Sequence, residues 1–302
     1  MSYLYFPGCS LKGTGRAYEE SLLAVFRALG IPLTELADWN CCGATAYMSI
    51  DEHQAFALAA RNLALAESQG SPADGAVQLI APCSACYLVL LKAQQCLAAD
   101  IALCQEITIA LKEGGHCYRG RVRIRHPLDV LVHDVGLSEI ARHVRQPLRG
   151  LKIACYYGCQ IVRPFALFDR PHDPSTMDDL VRILGAEPVS WPLKTHCCGG
   201  SLTGTIPEVG WRLNYLLLRE AQRRGAHLIV TVCPLCQFNL EAYQDQIRQR
   251  YPDLAPMPVL YFTQLIGMAM GLPPRELGLQ RLLIPVDGLM AALSKEGAHA
   301  RA

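Results

Sequence analysis

The sequence has almost no excess of charge of either sign. Its 28 lysines and arginines face 27 aspartates and glutamates, which gives a formal net charge of +1. A protein that holds a polyanion by overall charge would carry a clear basic excess. The composition therefore gives no basis for a nucleic-acid partner, and we predict none.

Long hydrophobic runs are also absent. The most apolar stretch, YLVLLKAQQCLAADIALC, is interrupted by Lys92, two glutamines and Asp100, whereas a membrane-spanning helix needs 18 or more apolar residues in a row. The first residues, MSYLYFPGCS, lack the basic start and apolar core of a secretory signal. We predict a cytoplasmic protein with no membrane span, and its 302 residues are enough for two ordinary domains.

Two familiar motifs are missing as well. Gly13-Thr14-Gly15 is not followed by the Lys-Ser/Thr of a phosphate loop, and no C-x2-C-x2-C-x3-C-P run of a cubane iron–sulfur site occurs. What the sequence does have is fourteen cysteines. Ten of them form one five-cysteine pattern that occurs twice, as Cys9, Cys41, Cys42, Cys83 and Cys86, and again as Cys159, Cys197, Cys198, Cys233 and Cys236.

The residues around these cysteines repeat too. PGCS corresponds to YGCQ, NCCGA to HCCGG, and LIAPCSACY to LIVTVCPLCQ. Cysteines that only fill a core pack as small hydrophobes and have no reason to keep such spacing. Reducing cytosol keeps thiols free for metals or catalysis, and a chain of this size does not need disulfides to fold. The pattern therefore indicates two sites that each bind through five thiolates.

The number of cysteine ligands limits which metal or cluster can bind. Structural zinc is held by four ligands in a tetrahedron, which leaves a fifth cysteine without a place. The adjacent cysteines of each pair point in different directions and suit a multi-iron cluster better than a single ion. The ligand rules favour iron–sulfur clusters, and a zinc-stabilised scaffold is the alternative.

The apolar pattern predicts an α/β fold built as two similar tandem domains. In each copy short apolar strands alternate with amphipathic helical segments, a pattern typical of a parallel sheet covered by helices. Every cysteine motif follows a strand. Because the carboxyl ends of parallel strands lie at one edge of a sheet, we expect the five cysteines of each copy to meet there.

At this point the motifs resemble a known family. The pattern C-x31-CC-G-x39-CxxC followed by C-x37-CC-G-x33-CxxC is similar to the CCG (cysteine-rich) domain. Its tandem form looks like the B subunit of heterodisulfide reductase, over nearly the whole chain. The resemblance implies a first domain over 1–148 and a second over 149–302. It also implies two noncubane [4Fe-4S] clusters, each held by one set of five cysteines.

The resemblance further implies an oxidoreductase subunit that reduces or forms a disulfide at these clusters. Expected partners are a cubane iron–sulfur subunit of the C-like type, which would exchange the electrons, and a flavin-containing subunit of the A-like type. The expected substrate is a heterodisulfide such as coenzyme M–coenzyme B, or a thiol or lipoyl-type sulfur carrier in a bacterial sulfur-oxidising complex. The alternative is an electron-relay subunit of a lactate, glycolate or succinate dehydrogenase-type complex.

Four side chains near the cysteine motifs are candidates for a supporting role. His196 is a candidate hydrogen-bond donor to a cluster sulfide. Lys194, Arg163 and Lys12 are candidate contacts for an anionic substrate group. The alternative for each charged residue is an ordinary solvated surface charge.

The cysteines outside the pattern are assigned to packing or surface. Cys96 and Cys104 are predicted to lie eight residues apart on one face of a single apolar helix. Cys155 is predicted to face the core from a strand, with a role as a spare ligand as the alternative, and Cys117 is predicted to be exposed in a polar loop.

Overall fold

The computed structural model describes residues 2–44, 46–72 and 75–288. A polar tail predicted over residues 294–302 lies outside these ranges. The elements up to residue 142 are β1 (Tyr3–Tyr5), α1 (Gly8–Leu11), α2 (Arg16–Ala28), β2 (Leu33–Glu35), α3 (Ala46–Ile50), α4 (Glu52–Gln69), β3 (Val77–Ile80), α5 (Ser84–Ala99), α6 (Ile101–Glu113), β4 (Val122–Arg125), α7 (Pro127–Asp129), a π-helical turn (Val130–Gly136) and α8 (Leu137–Arg142).

The second half of the chain repeats much of this order. Its elements are β5 (Lys152–Tyr156), α9 (Thr176–Ile183), β6 (Glu187–Pro188), α10 (Leu202–Thr205), α11 (Pro207–Arg223), β7 (Leu228–Thr231), α12 (Pro234–Ala242), α13 (Gln244–Arg250), β8 (Val259–Tyr261), α14 (Phe262–Met270) and a 3-10 turn (Leu279–Arg281).

The strands form two parallel sheets with the same topology. The first has the order β2-β1-β3-β4 and the second the order β6-β5-β7-β8. The central strands β3 and β7 are buried along their whole length, as expected for short apolar strands covered on both faces. The predicted α/β class with two similar sheets is confirmed.

The strand order explains where a ligand can bind. In each sheet the second strand pairs with one side of the first strand, and the third strand pairs with the opposite side. The direction in which strands are added therefore reverses between β1 and β3 and between β5 and β7. Ligands of open parallel sheets bind outside the carboxyl ends of the strands at such a reversal. The single cysteines and the CxxC motifs follow β1, β3, β5 and β7 within four residues, whereas the adjacent pairs lie in longer loops after β2 and β6.

Packing divides the chain differently from the sequence repeat. Among the described residues, one compact unit falls within 1–13 and 26–127, and the other within 14–25 and 128–302. Most of α2 therefore belongs to the second unit, where Tyr18 stacks on Tyr261 with ring centroids 4.5 Å apart and Ser21 Oγ lies 2.7 Å from Thr263 Oγ1. The limits 1–148 and 149–302 follow the repeat and stay a prediction.

The single helix predicted across Cys96 and Cys104 is wrong. The structure has two helices, α5 and α6, with a bend of 115° between them. Asp100 lies at the break, where its side chain accepts a hydrogen bond from Leu103 N at 3.1 Å and caps α6. A carboxylate in this position accepts a hydrogen bond from a backbone N–H group that has no partner within the new helix. This capping favours the start of a second helix at Asp100, although the apolar pattern continues through it.

Candidate metal centres

The first unit brings the five cysteines of its pattern to the carboxyl edge of its sheet. Cys9 lies on α1 after β1, Cys41 and Cys42 lie in the loop after β2, and Cys83 and Cys86 lie at the start of α5 after β3. Cys9 and the CxxC motif therefore lie where a strand is followed by a helix, and the adjacent pair lies in a longer loop. The sequence predicts that these five residues meet, and contacts between their sulfur atoms support this prediction.

Direct thiol contacts link the members of the first set. Cys42 Sγ lies 3.2 Å from Cys86 Sγ, and both side chains are buried. The hydrogen bonds from Cys41 and Cys86 hold the pKa of Cys42 well below its usual range, while the bonds to Cys42 and Cys83 raise the pKa of Cys86. Cys9 lies near enough for its charge to act on Cys41. The five thiols therefore form one interacting group.

The second unit repeats this arrangement. Cys198 Sγ lies 3.6 Å from Cys236 Sγ, and Gly199 N donates to Cys197 Sγ at 3.3 Å. The hydrogen bonds from Cys159 and then Cys198 lower the pKa of Cys197 to about 2, with the charge of Arg163 acting in the same direction. Thiolates are the metal-binding form of cysteine, so a lowered pKa favours the form of Cys197 that binds a metal.

Both sites are closed on one side and open on the other. Cys42, Cys83 and Cys86 are buried in the first unit, whereas Cys9 and Cys41 are exposed. In the second unit Cys198, Cys233 and Cys236 are buried, Cys159 is half-buried and Cys197 is exposed. A group held by all five sulfurs would therefore have one face in the core and one face that a second molecule can reach.

A glycine before each first cysteine lets the backbone approach the CxxC motif. Gly8 has φ +65°, and a Cβ there would lie 2.9 Å from Cys86 Sγ. Its counterpart Gly158 has φ +68°, and a Cβ there would lie 3.1 Å from Cys236 Sγ. The PGCS and YGCQ motifs need glycine both for the left-handed backbone and for space beside a sulfur.

Buried asparagines hold the loops of the adjacent cysteine pairs by different contacts. In the first unit Asn62 of α4 accepts from Asn40 N at 3.0 Å and donates to Asn40 O at 2.9 Å. In the second unit Asn214 of α11 donates to Cys198 O at 3.1 Å. Because these amides come from helices far along the chain, the sequence pattern around CCG did not identify them.

The donor set fits an iron–sulfur cluster. Each unit offers five soft thiol ligands, and iron–sulfur clusters are held by cysteine thiolates. Buried hydroxyl oxygens of Ser84 and Thr231, one or two residues from Cys83 and Cys233, have no hydrogen-bond partner among the described residues. Within the described residues, no group of three or more His, Cys, Asp or Glu side chains is placed to hold a single metal ion.

The side chain of Lys194 lies inside the protein and not on its surface. It is buried, and its Nζ donates to Asp178 Oδ1 at 3.1 Å and to Pro174 O at 2.8 Å. Tyr157 OH donates to the same carboxylate at 2.6 Å, while Lys194 O accepts from Tyr157 N and Gly158 N. Burial raises the pKa of Asp178 despite these partners. This network supports the backbone that leads into Cys159, and the ammonium of Lys194 is engaged inside the protein.

We expect Lys194→Met to destabilise the protein strongly. Removing the ammonium leaves the carboxylate of Asp178 buried without its cation, a change that costs about 3–5 kcal/mol. The matched control is Lys12→Met, because Lys12 pairs with Glu35 at 2.8 Å on the surface, where an ion pair is worth about 0–1 kcal/mol. Urea unfolding of the two variants measures both free energies. Equal losses would contradict the structural role of Lys194.

The other candidates occupy different surroundings. The guanidinium of Arg163 donates to Thr195 O at 2.5 Å and to Pro171 O at 3.3 Å, and its charge acts on Cys197. His196 is exposed, and its carbonyl accepts from Tyr156 OH at 2.7 Å. Substrate contact by Arg163, Lys194 or Lys12, and sulfide contact by His196, stay predictions.

The cysteines outside the pattern lie apart from the two sets. Cys155 is fully buried on β5, and burial raises its pKa. Cys96 and Cys104 are half-buried on two different helices, and Cys117 is exposed. These placements agree with a packing role for Cys155 and with the predicted exposure of Cys117.

One side-chain contact to a sulfur was not foreseen. Asn239 Nδ2 lies 3.4 Å from Cys198 Sγ. The signal in the sequence was its position three residues after Cys236, which places both side chains on the same face of a helix.

Comparison with known proteins gives consistent matches over most of the chain. The family model of the CCG cysteine-rich domain matches residues 3–91 and 153–241. The 8-methylmenaquinol:fumarate reductase membrane anchor subunit of Wolinella succinogenes is 33% identical over 95% of this chain and 98% of its own length. A protein of Archaeoglobus profundus that is described as like the B subunit of heterodisulfide reductase is 30% identical, over 91% and 93% respectively.

Two further matches extend the comparison. The B subunit of a ferredoxin/F420H2-dependent CoB-CoM heterodisulfide reductase of Methanosarcina acetivorans is 29% identical over 91% of both chains. A crystal structure of a hypothetical protein from Helicobacter pylori superposes with a TM-score of 0.75 at 16% identity, over 94% of this chain and about half (52%) of that one. This last match shows the fold alone.

The helices give one observation on membranes. In the described part of the chain no single helix has the length and apolar character to cross a bilayer, and α5 with α6 meets that standard only as a bent pair. The cytoplasmic location stays a prediction.

Proposed function

The chain belongs to the CCG cysteine-rich domain family, and from that premise we propose that it is the cluster-bearing subunit of a heterodisulfide-reductase-type oxidoreductase. The observation that carries the proposal is the five-thiol site that occurs in each unit with matching contacts. Each set of five cysteines would hold one noncubane [4Fe-4S] cluster. Clusters bound there would supply single electrons, and two together supply the pair that a disulfide takes up with two protons to give two thiols.

The protein's own residues would bind and orient the reacting groups. The buried cysteines of each set fix the site in the core, while the exposed Cys9, Cys41 and Cys197 border its open side. A substrate sulfur would approach from that side. The charge of Arg163 beside Cys197 would favour a substrate that carries an anionic group.

The relatives support a place in a larger assembly. Those in Methanosarcina acetivorans and Wolinella succinogenes are named as subunits of reductases. We infer a cubane-cluster partner subunit that delivers the electrons, and a flavin-containing subunit behind it. The substrate would be a heterodisulfide such as coenzyme M–coenzyme B, or a thiol or lipoyl-type carrier.

The alternative is an electron relay in a dehydrogenase or fumarate reductase complex. It is favoured by the match to the Wolinella subunit, which covers 98% of that protein at 33% identity. In a relay the clusters would pass charge between partners without touching a substrate sulfur.

Thiol binding and disulfide turnover distinguish the two functions. The protein is purified without oxygen, its iron and acid-labile sulfide are measured, and electron paramagnetic resonance spectra of the oxidised form are recorded with and without added thiols. We expect thiols to change the spectrum and reduced viologen to drive disulfide reduction, with coenzyme M–coenzyme B and lipoyl disulfides compared as substrates. Iron-loaded protein whose spectrum does not change with thiols and which does not reduce disulfides would support the electron relay instead. Stoichiometric zinc with negligible acid-labile sulfide would exclude both cluster functions and support a zinc-stabilised scaffold.

A further inference from the structure

We propose that Asn239 is a positioning residue that acts through Cys198 to raise the reduction potential of the second centre. This inference rests on the proposed clusters and goes beyond them, because it makes two sites with the same five ligands electronically unequal. It follows from the contacts of one amide and from the residue that replaces it in the other copy.

The amide of Asn239 is fixed in a donating orientation. It is 2% exposed on α12, and its Nδ2 lies 3.4 Å from Cys198 Sγ and 2.9 Å from Gly200 O. A backbone carbonyl can only accept, so the contact with Gly200 O requires the NH2 group on this side. The same group therefore presents an N–H to the sulfur.

The first unit has no such group at the matching position. Val89 precedes Asn239 by 150 residues, the offset that also relates Cys86 to Cys236, and it is 5% exposed on α5. Its side chain cannot donate a hydrogen bond. The two positions are both buried one helical turn after a CxxC motif, so they differ in chemistry rather than in place.

Backbone donors at two matching positions, in contrast, are shared by the two copies. The N–H groups of Gly43 and Ala44 act on Cys41 and Cys42. The N–H groups at the matching positions 199 and 200 act on the second cysteine pair. The first centre also has the N–H of Cys42 acting on its own thiol. The Asn239 amide is the side-chain donor that the second centre has in addition to the shared backbone donors.

A donor to a ligand sulfur affects the two redox states unequally. The reduced cluster carries one more negative charge, and an N–H directed at its thiolate stabilises that charge more than the oxidised state. Hydrogen bonds to sulfur are one of the factors that set iron–sulfur potentials. Asn239 would therefore raise the potential of the second centre relative to the same centre without this amide.

The test exchanges the two residues between the copies. Wild type, Asn239→Val and Val89→Asn are loaded with iron and titrated with redox mediators, and each cluster is followed by electron paramagnetic resonance. We expect Asn239→Val to lower one midpoint potential by about 59 mV, a tenfold change in the one-electron equilibrium, with the other unchanged. Val89→Asn should raise the other potential. Both exchanges leave the unpartnered hydroxyl of Ser84 in place, so it cannot cause the difference.

The outcomes separate this inference from the proposed function. Iron-loaded variants whose two potentials both equal those of wild type would overturn the role of Asn239 and leave the clusters intact. Wild type that binds no iron would overturn the proposed function and this inference with it. If Asn239→Val loses iron because Gly200 O has lost its partner, the gain in potential from Val89→Asn still decides the question.

Discussion

Replacing Cys198 by serine should remove about half of the iron from the protein. If each unit holds one four-iron cluster, wild type contains about eight irons per chain and Cys198→Ser about four. The thiol of Cys198 is buried 3.6 Å from Cys236 Sγ, so its loss removes a ligand from the closed side of the site, where no solvent molecule can readily replace it. Disulfide turnover should fall to background, since one centre supplies only one electron at a time.

Cys155→Ala is the matched control for this loss. Cys155 is a fully buried cysteine of the same unit, but it lies on β5 and packs in the core. We expect this variant to keep its iron and to lose only the small free energy of a truncated core side chain. Iron and sulfide analysis of both variants gives the answer. Full iron content in Cys198→Ser, or loss of iron in Cys155→Ala, would show that the ligand set is assigned incorrectly.

Gly8→Ala should prevent assembly of the first centre although no ligand is changed. The new Cβ would lie 2.9 Å from Cys86 Sγ, closer than van der Waals contact allows, at a backbone φ of +65°. Either the sulfur moves away or the PGCS turn opens, and both changes separate Cys9 from Cys86. We expect about half of the iron to be lost, as measured by metal analysis and by the disappearance of one redox transition.

Gly30→Ala separates the clash from the strain of a left-handed backbone. Gly30 has φ +69°, but a Cβ there would meet no atom within 4 Å. This variant should lose about 1–2 kcal/mol of stability and keep its iron. Gly158→Ala, with its 3.1 Å approach to Cys236 Sγ, should impair the second centre less than Gly8→Ala impairs the first. Equal iron content in Gly8→Ala and Gly30→Ala would contradict the packing argument.

Local pattern and repetition made the two thiol sites predictable from the sequence. Ten cysteines in register, with CCG and CxxC motifs after apolar strands, were enough to predict two equivalent sites at the carboxyl edges of two parallel sheets. These features can be predicted because the spacing of apolar residues in a strand or an amphipathic helix shows which side is buried. Repetition at a nearly constant offset then separates the ten predicted ligand cysteines from the four outside the pattern.

The side chains that stand around those sites could be found only in the folded protein. Lys194 looked like a free cation beside a CCG motif, but it is buried against Asp178, whose position in the chain gives no sign of the pairing. Residues 14–25 pack with the second sheet although they belong to the first copy. Asn239 and Val89 share a place in the repeat and differ in what they offer a sulfur. Partners of this kind are set by which helices and loops fold together, and sequence periodicity carries no record of contacts between distant segments.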